Sequence, residues 1–256
     1  MTEADSRPPR TSAGGDGFEI DIDGAPVRVT LIRRAGARRY VLRVRAGDVR
    51  LTVPSRGTHH EARAFAERQR DWIKTRLERL PEPVRFEDGA VIPLRGQPHT
   101  IEHREQARGV VWVEPGAADP LLPEDALPRL CVSGRHSHLR RRLRDWLEAE
   151  AHRMLSKHVR VYAGRLGITV KRISIRDQKS RWGACSASGT LTFSWRLILA
   201  PDFVISYLAA HEVVHLKEMN HSARYWRTLR ALCADTDRAE VWLRAHGGAL
   251  HRYDPS

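Results

Sequence analysis

Cysteine is scarce in this 256-residue chain: there are three, Cys131, Cys185 and Cys233, and no two are spaced as a CxxC pair. That argues against a disulfide framework and against a cysteine-built zinc knuckle, and it favours a reducing compartment. No apolar run reaches the length of a membrane span, and the N-terminus lacks the apolar core of a signal peptide. The expectation is a cytoplasmic protein with no membrane partner. Acidic residues are outnumbered, 31 against 44 Lys and Arg, which gives a net charge of +13. An excess of this kind suits attraction to nucleic acid or another polyanion. It suits equally an arginine-rich solubilising surface. No internal repeat is present, which excludes a solenoid.

The remaining composition is globular, with 41% hydrophobic and 29% charged residues, and the length suffices for one large domain or two small ones. Within it, one stretch carries chemistry: His211-Glu212-Val213-Val214-His215, followed after five residues by His221. The residues before it, Phe203 to Ala210, are apolar almost without a break. Pro201-Asp202 opens them, a helix-start signal. A helix of about five turns is expected. Positions four apart share a helix face, so His211 and His215 aim two imidazoles at one spot with Glu212 beside them. Two neutral imidazoles on consecutive turns suit Zn²⁺, and a neighbouring carboxylate can take a proton from water. Two core histidines satisfied by carbonyls are the plainer alternative, but two His and a Glu are costly in so apolar a helix without a strong partner. A third ligand must come from another direction, so the helix must end first. Asn220, which tolerates the left-handed conformation, is the expected stop. His221-Ser222 then starts a new helix from Ala223.

Around this stretch the chain reads as α+β. Residues 1–17 form a disordered tail by composition. Residues 18–113 are β-rich: hairpin patterns run through Asp23-Gly24 and through Gly47-Asp48, and one helix spans about 59–80. Residues 114–134, rich in proline, read as a linker. A long helix runs from about Arg135 to Leu166, stopped by Gly167, with Leu139, Leu143, Trp146, Leu147, Ala151 and Leu155 as its apolar stripe. Its basic start, RHSHLRRRLR, is a phosphate-contacting face or, more plainly, a solvated one. A strand over 170–176, a loop over 177–188 and a second strand over 191–199 lead into the His-bearing helix. If that second strand lies at a sheet edge, it can hold an extended peptide by strand addition. Trp182, Trp195 and Trp226 read as core.

The segments RWGAC, LTFSWRLILAP and YLAAHEVVHLKEMNHSARYW resemble the YgjP-like branch of the SprT-like zinc metallopeptidases, over residues 170–246. The upstream stretches LTVPSRGTHHEARAFAERQRDWIKTRLERL and IPLRGQPHTIEH are similar to that branch's N-terminal region. The resemblance implies a zincin-like metallopeptidase domain over 135–250, with a small sheet and a short tail at 251–256. It implies a protein or peptide substrate, His211, His215 and His221 as zinc ligands and Glu212 as catalytic glutamate. Arg181 and Trp182 become candidate substrate-binding residues. The sequence departs from the branch at Ala184, where Ser is usual, and at Ser194, where Asn is frequent. A metzincin-type spacer would carry glycine, and Leu-Lys-Glu-Met-Asn has none. The gluzincin arrangement would make Glu240 the third ligand instead of His221, and Glu218 lies one turn past His215.

The resulting expectation is a hydrolase in which Glu212 is the general base and Arg181 or Tyr225 the oxyanion donor. Two other classes use the same residues. A metal-dependent nucleotide pyrophosphatase would suit the basic charge, and a non-catalytic zinc-stabilised nucleic-acid-binding module would need no general base.

Overall fold

The computed structural model describes residues 16–45, 48–78, 82–116, 126–178 and 181–254. The chain is α+β and divides into two compact units, residues 1–82 and 83–256. The expected tail at 1–17 lies outside the described residues except for its end, where Gly17 already opens a strand.

In the first unit, strands β1 (Gly17–Ile22), β2 (Ala25–Arg33), β3 (Val41–Arg45) and β4 (Asp48–Val53) form a sheet in the order β1-β2-β4-β3. The β1–β2 hairpin turns where the sequence suggested, at Asp23 (φ 54°) and Gly24 (φ 81°). The single helix expected over 59–80 is two helices, α1 (His59–Arg68) and α2 (Arg70–Glu78), broken at Gln69. Gln69 leaves helical geometry (φ −100°, ψ 16°) while its carbonyl accepts from Ile73 N, so the apolar spacing continues across the break. That is why periodicity alone could not see it. Thr58 and Glu61 form a reciprocal cap at the start of α1. Ile20, Leu51, Val53, Ala62 and Ile73 are fully buried between sheet and helices.

The second unit begins at β5 (Val84–Arg85). Strands β6 (Val91–Leu94), β7 (Gln97–Arg104), β8 (Val111–Glu114) and β9 (Arg129–Ser133) make a sheet ordered β6-β7-β9-β8. This corrects the expected linker at 114–134. Residues 117–125 lie outside the described ones, but Leu130 to Val132 are fully buried and β9 pairs parallel to β7. The proline-rich composition masked a central strand, which pairs with β7, 29 positions upstream (Thr100 with Arg129), on one side and with β8 on the other. The division accordingly falls near residue 82, and 84–113 belong with the histidine helix.

Helix α3 (Leu139–Leu166) ends at Gly167 in the left-handed conformation (φ 63°), as expected. Its basic start is largely engaged: Arg142 donates to Ser133 O at 2.6 Å, and Arg144 and Arg141 reach Glu148 and Asp145 one turn on. A second sheet is ordered β10-β12-β11, from β10 (Arg172–Arg176), β11 (Gly183–Cys185) and β12 (Thr190–Ser194). Here two expectations change. The strand expected over 191–199 stops at Ser194, whose hydroxyl accepts from Arg196 N and turns the chain into a buried 3-10 turn over Trp195–Leu199. A continuous apolar run does not distinguish strand from buried turn. The expected loop over 177–188 contains β11, and β11, not β12, stands at the sheet edge.

Helices α4 (Asp202–His215), α5 (Ala223–Leu232) and α6 (Thr236–His246) follow. The expected tail at 251–256 instead contributes β13 (Tyr253–Asp254), which pairs with β5. One core joins Ile101, Leu130, Leu143, Leu155, Phe193, Trp195, Leu208, Val213 and Tyr225. Among the described residues, all three cysteines are free and no helix is long and apolar enough to cross a membrane.

Candidate metal centre

The start of α4 is held by the turn between β6 and β7. Arg95 N and Gly96 N donate to Ile198 O and Leu199 O at 2.8 and 3.1 Å, and the Arg95 guanidinium pairs with Asp202. Gly96 has φ 81°, and a Cβ there would lie 2.8 Å from Pro201 Cγ, so only glycine allows this approach. Val204, Ile205, Ala209, Val213 and Val214 then bury α4 among α3 and the core. The helix is 14 residues, about four turns, and ends at His215. Asn220 is not in the left-handed conformation, so it is not the stop. The chain leaves through Leu216 and Lys217 instead, whose amides bond back to Val213 O and Val214 O.

The path after His215 returns His221 to the helix face. His221 precedes Ser222, whose hydroxyl accepts from Tyr225 N and caps α5. The rings of His211, His215 and His221 have centroids 4.8 to 5.2 Å apart, and one nitrogen of each lies within 4.8 Å of the others. Among the described residues, this is the set of histidines, cysteines and carboxylates that comes together in this way. Glu240 is not part of it; its carboxylate accepts from Tyr207 OH. Glu218 sends its side chain to Arg224 at 2.7 Å and its carbonyl to His215 Nδ1 at 3.0 Å.

Tyr225 was a candidate oxyanion donor, and its surroundings contradict that. It is fully buried, with its hydroxyl donating to His211 O at 3.2 Å and its ring 4.7 Å from those of His215 and His221. It braces α5 against the end of α4. Trp182 stacks on His251 at 4.9 Å and lies against Gly247. Trp195 is core as expected. Trp226 stacks on His221 at 5.7 Å, so the structure brings it to the site although its spacing reads as core. Arg181 is exposed, and its charge acts on Glu212.

Electrostatics follow burial. Desolvation, then the neighbouring histidines, pull His211 down to about 3. His215 is lowered by burial, against the opposing bond to Glu218 O. The Glu212 carboxyl, 4% exposed, is pushed up to about 7 by burial, and Arg181 draws it back. Gly183 of β11 lies directly on this carboxyl.

A family model described as YgjP-like, metallopeptidase domain, matches residues 38–246. The chain belongs to the YgjP-like family. Among solved structures, it is similar to the metallopeptidase zymogen of Pyrococcus abyssi abylysin, with 22% identity over 35% of this chain and 95% of that chain, at a TM-score of 0.31. No curated protein matches. The match spans both units, and a metallopeptidase domain implies a divalent metal and a protein or peptide substrate. The residues of this YgjP-like domain fit such an ion. His215 Nδ1 faces a carbonyl and must carry its proton, which leaves Nε2 bare. His211 Nε2 and His221 Nε2 face each other at 3.4 Å. Depressed basicity keeps His211 and His215 neutral, as ligation requires.

The glycine of the RWGAC segment has a role that no motif reading assigned. A Cβ on Gly183 would run into Glu212, 2.8 Å from its Cγ and Cδ. Gly183→Ala is expected to lower the melting temperature, because the clash reaches Cγ of a buried side chain, and peptide hydrolysis falls about 10-fold or more. Paired melting and peptidase assays check this; unchanged hydrolysis would mean Glu212 tolerates displacement.

Proposed function

We propose that the protein is a zinc-dependent peptidase in which His211, His215 and His221 hold the metal and Glu212 is the general base. The observation that carries this is the convergence of three imidazole nitrogens within 4.8 Å beside a buried carboxylate. Zinc suits three neutral imidazoles, and a set of three protein ligands is the pattern of catalytic sites; structural sites close with a fourth. Bound there, the ion supplies Lewis acidity, which acidifies water and polarises a carbonyl.

The chain's own groups do the rest. Glu212 takes a proton from the attacking water and delivers it to the leaving amine. Arg181, exposed and close enough to influence Glu212, donates to the developing oxyanion. The outer edge of β11, beside Glu212, offers backbone groups to an extended peptide, the role the sequence suggests for the 191–199 strand.

Arg181→Ala carries a pH prediction. Removing the cation takes away the influence that lowers the Glu212 pKa, so the acid limb of kcat/KM shifts to higher pH. A lower kcat/KM with an unmoved limb would confine Arg181 to substrate contact. The function itself is tested by offering the zinc-loaded protein unfolded casein, nucleoside triphosphates and duplex DNA. Casein cleavage, lost on chelation and restored by zinc, is expected. Triphosphate hydrolysis instead would make it a pyrophosphatase. Salt-sensitive DNA retention with no turnover would make it a nucleic-acid-binding module.

A further inference from the structure

We propose that Tyr207 and Glu240 are positioning residues for His211, forming a hydroxyl-relayed chain that sets which ring nitrogen faces the metal. The inference rests on the three-histidine reading above. Tyr207 lies one turn before His211 on α4, so Tyr207, His211 and His215 occupy one helix face at spacings of four. Its hydroxyl is 3.3 Å from His211 Nδ1 and 3.2 Å from Glu240 Oε1, and its ring meets that of His211 edge-on. Tyr207 is 4% exposed, so no bulk water competes for these bonds.

Counting protons fixes the direction of the chain. A carboxylate only accepts, so the single phenolic proton goes to Glu240. The Tyr207 oxygen can then only accept from His211, which places the imidazole proton on Nδ1. His211 Nε2 is left with its lone pair, and it is this nitrogen that faces His221 Nε2 at 3.4 Å. Helix α6, which brings no ligand to the cluster, thus acts on it through Glu240. His215 reaches the same state by a different route, with the Glu218 carbonyl holding its Nδ1 proton. Outer partners of this kind orient the ring and raise its basicity as a ligand, and their loss costs about 10–100-fold in metal affinity.

The test measures zinc affinity by chelator competition, the visible spectrum of the cobalt-substituted protein and the metal-free melting temperature, for Tyr207→Phe, Glu240→Ala, Glu240→Gln and the double variant Tyr207→Phe/Glu240→Ala. Tyr207→Phe and Glu240→Ala are each expected to weaken zinc about 10–100-fold and to shift the cobalt bands. The double variant should be no weaker than the worse single one, because the two residues act as one chain. Glu240→Gln should lose less, since an amide oxygen still accepts from the phenol. Unchanged affinity and spectrum in Tyr207→Phe, with zinc still lost in His211→Ala, would overturn the relay and leave the metal site standing. Zinc abolished by Glu240→Ala but not by Tyr207→Phe would make Glu240 a ligand and also overturn it. Zinc retained at full affinity in His211→Ala would remove the site, and the relay with it.

Discussion

Glu212→Gln yields a folded, zinc-loaded protein whose peptide hydrolysis is about 10²–10⁴-fold slower than wild type. The amide keeps the shape of the carboxyl and cannot take a proton. It is also easier to bury. Glu212 is held near 7 in the folded chain against an ordinary 4.5, so the native state binds its proton more tightly than the unfolded state does. The metal-free wild type therefore loses stability as pH rises from about 4.5 to 7, by an amount on the order of 3 kcal/mol, and the penalty stays above that window. Gln does not titrate. The melting-temperature difference between metal-free Gln variant and wild type should grow in favour of Gln across that window and then level off. Elemental analysis, a casein assay and melting curves over pH check the three parts. Turnover retained in a zinc-loaded Gln variant would sink the general-base assignment.

His221→Ala removes the bound metal while leaving the fold intact. His221 is exposed, between the end of α4 and the cap of α5, and its ring packs on Trp226 and Tyr225 from outside the core. If the three-histidine site proposed above holds the metal, losing His221 takes away one of its three ligands, so the loss of affinity should exceed the ~100-fold upper range for an outer partner. Zinc per chain after dialysis should fall from near one to a small fraction, and the metal-free melting temperature should stay within a few degrees. Zinc content retained in His221→Ala would require a different third ligand.

Much of the centre was legible because it is local. A helix repeats every 3.6 residues, so His211 and His215 had to share a face and Glu212 had to sit beside them. Pro201-Asp202 and Ser222 mark real helix starts by side-chain and backbone chemistry within a few residues. Tyr207 carries the same spacing signal, four positions before His211, but an aromatic in an apolar run reads equally well as core.

Other features left no such mark. Nothing in the spacing of Gly183 announces that it lies on Glu212, 29 positions away. Tyr225 has the side chain of an oxyanion donor, but its hydroxyl is taken by the His211 carbonyl. The linker that is a strand, the loop that is an edge strand and the tail that pairs with β5 all depend on partners distant in sequence. The sequence by itself determined the α+β class, the family motif and the two imidazoles of one helix face. Only the tertiary structure decided that His221 and not Glu240 joins them, and that Glu240 meets Tyr207 instead. The reason is physical: helix periodicity acts over a single turn, whereas the approach of α5, α6 and β11 to α4 is set by sheet order and core packing, which no local pattern encodes.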